Sequence, residues 1–121
     1  MCRLHLAGIV ALAVLLGESA CKTETTLADY PCPPGGTTLT YDTFGAAFLG
    51  QSCQTCHGQT DGARKGAPDG YDFGTLAAVR AQKERIFARA AADNVTMPPG
   101  PVDPPAAERE KLAQWLACGA P

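Results

Sequence analysis

Apolar and polar positions along the chain divide it into segments of different character. Residues 7–16 are almost wholly apolar and follow a short start in which Arg3 is the only fixed positive charge. Residues 22–40 show no apolar period and are rich in proline and glycine, including Pro31, Pro33, Pro34, Gly35 and Gly36, which predicts irregular backbone. From Thr40 a helical rhythm begins: Phe44, Phe48 and Leu49 share one face, with Asp42 in position to cap it. This helix runs into Cys53, and Gly58 ends the turn after His57. A loop over residues 58–74 carries glycines 58, 62, 66, 70 and 74 together with Pro68. Residues 75–92 are helix-forming throughout, with Val79, Lys83, Ile86 and Phe87 on one face and a break near Ala81 as an option. A second loop over 94–105 holds Met97 among five prolines. The last helix opens with Asp103 as cap and Pro104 as its first residue. Leu112, Trp115 and Leu116 form its stripe, and Gly119 closes it. There is no strand pattern and no internal repeat. The expected fold is all-α, with long Gly/Pro loops.

The apolar run at 7–16 is too short to span a bilayer, which takes about 20 residues. A basic start, a short apolar core and small residues near Gly17 to Ala20 predict an export signal; the alternative is an anchor that is never cleaved. The organisation that follows is a leader over 1–20, a tether and irregular lead-in over 21–39, and one folded domain over 40–121. Such a domain has one core. Aromatic residues make up only 7% of the chain, so a bulky apolar cofactor would help to fill that interior. The net charge of -2 leaves no basic footprint for nucleic acid.

Cysteine usage changes the picture most. There are six, at positions 2, 21, 32, 53, 56 and 118. Cys2 falls in the leader and Cys21 at its end. Cys53 and Cys56 form a C-x-x-C pair followed directly by His57. Cys32 and Cys118 remain, and in an oxidising compartment they are natural disulfide partners; two buried free thiols are the other reading.

The run Cys53-Gln54-Thr55-Cys56-His57 has the spacing of covalent haem attachment. Two thiols separated by two residues each form a thioether with a haem vinyl group, and the adjacent histidine becomes an axial ligand of the iron. A zinc site would want a second such pair, and a thioredoxin-like dithiol would want alternating strands and helices; the sequence has neither. For the second axial position, His5 lies in the leader, which leaves Met97, in Thr96-Met97-Pro98-Pro99. A thioether opposite histidine raises the reduction potential, and the prolines stiffen the backbone behind it.

From about Thr40 to Cys118 the chain resembles the class I c-type cytochromes with a single haem. In that family a glycine eight residues before the first motif cysteine lets the first helix cross the last closely, and Gly45 stands there. Leu49 occupies the usual aromatic position beside it, with Phe48 next to it. The L-x-x-aromatic-L pattern of the family's last helix is matched by Leu112, Trp115 and Leu116. The resemblance implies a small cytochrome c-like domain with crossing terminal helices, one haem c held by Cys53, Cys56, His57 and Met97, and a carbonyl of Pro68 accepting a hydrogen bond from His57. The Cys32 and Cys118 pair is an addition to the family pattern. The short interval from the motif to Met97 implies compact loops and an exposed haem edge, which lowers the potential relative to deep burial.

Leu15 to Cys21 resembles a bacterial lipoprotein cleavage signal, with Ser19 and Ala20 fitting and Glu18 departing from it. On that reading Cys21 is lipidated and tethers the domain to a membrane facing the periplasm; cleavage after Ser19 would instead leave a soluble periplasmic protein. The expected function is one-electron transfer by a monomer that meets redox-protein donors and acceptors transiently. A haem-based ligand sensor or peroxidase-like protein with a labile distal ligand is the alternative.

Overall fold

Threonine hydroxyls cap two of the helix starts in this chain. The computed structural model describes residues 24–58 and 64–121; the expected leader and Cys21 lie outside the described residues. Thr40 caps the first helical stretch. Its hydroxyl accepts from the Thr43 amide at 3.1 Å, and the Thr43 hydroxyl accepts from the Thr40 amide at 2.9 Å, a reciprocal box. The cap is therefore Thr40 and not Asp42, because threonine at the turn's start reaches the amide three residues on while Asp42 already lies inside it. One wide turn, Tyr41–Gly45, leads into α1, Ala46–Ser52. Cys53 breaks the helix at φ −124°, and α2, Gln54–His57, is a single further turn ended by Gly58.

Helix α3, Leu76–Ala81, is capped by Thr75, whose hydroxyl accepts from the Ala78 amide. The optional break falls at Gln82, and α4 follows as Lys83–Ala90. Val79, Ile86, Phe87 and Ala90 turn inward.

The last helix, α5, spans Ala106–Ala117 and has no side-chain cap. Asp103 does not cap it and Pro104 does not begin it, since Pro105 keeps the residue before it out of helical backbone. At its other end Gly119, at φ +87°, adopts the left-handed conformation that glycine tolerates best. Its amide donates to the Leu116 carbonyl at 3.0 Å and the Ala120 amide to the Trp115 carbonyl at 2.9 Å, a Schellman ending.

The first and last helical stretches are in contact, as Phe44 meets Trp115 edge to face at 6.0 Å between ring centroids. The Tyr41 amide also donates to the carbonyl of Pro121 at 2.7 Å. Leu49, Val79, Phe87, Leu112, Trp115 and Leu116 form the fully buried centre. Among the described residues there are five α-helices and no strand, and none of these helices is long and apolar enough to cross a membrane.

The described part of the lead-in is docked at several points. Tyr30 stands over Phe87 at 5.7 Å and its hydroxyl meets Glu110. Buried Asn94 donates to the carbonyls of Thr25 at 2.8 Å and Phe87 at 3.0 Å. Cys32 and Cys118 have the geometry of a disulfide, with Cα atoms 4.8 Å apart. Described residues from Thr25 onward thus pack against the domain expected over 40–121.

Candidate functional site

The helical break at Cys53 decides where the motif points. α1 delivers Cys53, and the turn of α2 delivers Cys56 and His57 to the same concavity. This is a cleft of about 420 Å³, within the roughly 300–1,000 Å³ typical of small-molecule and cofactor sites. Phe48, Phe73, Ile86 and Ala90 supply apolar wall, and Met97, Pro98 and Pro99 enter from the loop after α4. Pro68 lines it as well. Four residues singled out by sequence as ligands or attachment points thus share one cleft.

His57 is held by its surroundings. Its Nδ1 lies 2.6 Å from the carbonyl oxygen of Tyr71. A carbonyl only accepts, so Nδ1 carries the proton and Nε2 of the neutral ring is the nitrogen with a lone pair. The ring stacks on Phe73 at 4.6 Å between centroids. The Phe73 amide donates to the His57 carbonyl at 2.8 Å, and Gln54, inside the motif, donates from Nε2 to the Phe73 carbonyl at 3.2 Å.

The acceptor for Nδ1 is therefore Tyr71, and the expected Pro68 contact does not form. The Pro68 carbonyl is taken by the Arg64 guanidinium, which also meets Asp72. No sequence signal marks a particular backbone carbonyl, and a proline in a glycine-rich loop fitted the resemblance equally well.

Cys53 and Cys56 are both free, partly buried thiols. Burial, with a smaller contribution from Cys56, pushes the Cys53 thiol up from 9.0 to about 12. An attacking thiol in disulfide exchange depends on a lowered pKa, so Cys53 is poorly suited to that role. Among the described residues no three His, Cys, Asp or Glu side chains converge as an ion cage. The donors that the cleft brings together are two thiols, an imidazole oriented by a backbone carbonyl, and a thioether.

Met97 is 39% exposed. Its amide donates to the Arg89 carbonyl at 2.9 Å, and the Thr96 hydroxyl donates to the same oxygen at 3.3 Å, which ties the Met97 loop to the last turn of α4. Among the described residues, the charged side chains lining the cleft are Lys65, Arg85 and Arg89, all cationic. Arg85 also lies over the Tyr71 ring, 5.6 Å from its centroid.

A scan against protein-family models finds no match, and no curated protein or solved structure matches the chain significantly.

Proposed function

We propose that this chain is an exported one-electron carrier, a class I c-type cytochrome with one haem c. Cys53 and Cys56 would hold the haem through thioethers, and His57 Nε2 and Met97 Sδ would be the protein's donors to its iron. When bound, the haem supplies a ferric/ferrous couple. The chain's own contribution is to orient His57 through the Tyr71 carbonyl, to exclude water with Phe48, Phe73 and Ile86, and to leave a route for electrons at the cleft mouth. Small, weakly bound redox proteins are the partners, consistent with a monomer that meets them briefly. Export by the 1–20 leader and lipidation at Cys21 would set the domain on a periplasm-facing membrane.

The observation that carries this reading is the meeting of Cys53, Cys56, His57 and Met97 in one apolar cleft. The test is an absorption spectrum of protein produced in a host with cytochrome c maturation machinery. A c-type haem spectrum with a weak far-red sulfur-to-iron band is the expected result; a colourless product refutes it.

One observation favours a second reading, a ligand sensor or peroxidase-like protein: Met97 is partly exposed and hangs on a loop. Carbon monoxide decides between them. A closed His/Met site resists it, whereas a labile methionine yields to it.

A further inference from the structure

Tyr71, which offers its carbonyl to His57, sits in a loop gripped on both sides by side chains that touch neither the cleft thiols nor the imidazole. Gln82 occupies the break between α3 and α4, at φ −120° and ψ 18°. From there its Nε2 donates to the Gly70 carbonyl at 2.9 Å. Gly70 has φ +85°, a conformation glycine adopts cheaply, and it immediately precedes Tyr71. Arg64 donates from Nε to the Ala67 carbonyl at 3.2 Å, and its terminal nitrogens take the Pro68 carbonyl and the Asp72 carboxylate. The acceptors at 67, 68, 70 and 72 therefore bracket residue 71. A planar guanidinium with several fixed donors suits this task better than a single ammonium.

We propose that Gln82 and Arg64 are positioning residues that clamp the 64–73 loop, so that the Tyr71 carbonyl stays against Nδ1 of His57 and sets the donor strength of that imidazole. The inference rests on the haem reading above. A carbonyl accepting from Nδ1–H raises electron density at Nε2, and a stronger donor favours the more positive, ferric ion. Loosening the clamp weakens that bond and favours the ferrous ion. The break at Gln82 then has a use: it turns an amide side chain out of the helix path toward Gly70.

The test uses the full haem-loaded chain and two variants without change of charge, Gln82→Met and Arg64→Lys. Three quantities are measured: reduction potential, exchange rate of the His57 Nδ1 proton by NMR, and thermal midpoint. Each variant is expected to shift the ferric/ferrous equilibrium about threefold toward ferrous, roughly 30 mV upward at 59 mV per tenfold. Nδ1 proton exchange should quicken about tenfold, one decade for each ~1.4 kcal/mol of lost protection. Gln51→Met, on the exposed side of α1, should change neither. If the midpoint falls while potential and exchange hold, the clamp is merely structural and the proposal is overturned. Should one variant fail to mature, the other decides alone. A parent protein without colour overturns the haem reading itself, and this role with it.

Discussion

Gly45 lies against the indole of Trp115 so closely that a methyl group at its Cα would stand 2.5 Å from Cζ2 and 2.6 Å from Cη2 of the ring. The backbone at Gly45 is ordinary helix, φ −58° and ψ −47°. Space is what demands glycine here, and the space is where the first and last helical stretches meet. Replacement of Gly45 by alanine should therefore destabilise the protein by about 1–3 kcal/mol, the usual cost of overpacking. Denaturant titration checks this. Pairing it with Trp115→Leu should reduce the added cost of the alanine, because the ring that it strikes is gone.

That contact shows how far sequence alone reached. Helical periodicity at Phe44, Phe48 and Leu49, and at Leu112, Trp115 and Leu116, named the residues that pack there, since burial of one helix face leaves a period. The C-x-x-C-H run and Met97 stand out in sequence because thiols, imidazole and thioether are distinctive side chains, and the fold brings them to one cleft. The Tyr71 carbonyl was not: every residue carries one, and only the folded loop selects among them. Cap positions failed for a related reason. Thr40 and Asp42 both suit a helix start, and a shift of two residues is decided by which hydroxyl meets which amide.

The bond between Cys32 and Cys118 joins residues 86 apart in sequence and pins the docked lead-in to the end of α5. Replacing both by alanine should lower stability by about 4 kcal/mol in the chain-entropy view. Comparison of denaturant midpoints with and without reductant should give the same loss in the parent protein. The double variant should be insensitive to reductant, and its haem spectrum should be unchanged, as neither cysteine lines the cleft.

Cys53 predicts a pH effect that depends on haem attachment. In haem-free protein its thiol is raised from 9.0 to about 12 by burial, so the fold binds that proton more tightly than the unfolded chain does. The unfolded chain loses the proton first, and stability falls as pH rises from about 9 to about 12. Unfolding of the haem-free form at pH 8 and pH 10.5 should show that loss, and Cys53→Ser should remove the Cys53 share of it. Once the sulfur is a thioether it has no proton to lose, so the haem-loaded protein should lack this contribution.

Met97→Ala should separate attachment from axial ligation. The haem stays covalently bound through Cys53 and Cys56, while the far-red sulfur-to-iron band disappears and carbon monoxide binds the reduced protein readily. The reduction potential should fall, because loss of the thioether removes the ligand that favours the ferrous ion. Spectroelectrochemistry and carbon monoxide titration of the same sample check all three. An unchanged band would place the second axial ligand elsewhere.

The most direct measurement of the central claim is the intact mass of the mature protein, taken under denaturing conditions after production with haem-attachment machinery. The account predicts the mass of the processed polypeptide plus one haem, with Cys53 and Cys56 closed to alkylation. A bare polypeptide mass, with both thiols open to the reagent, would contradict it.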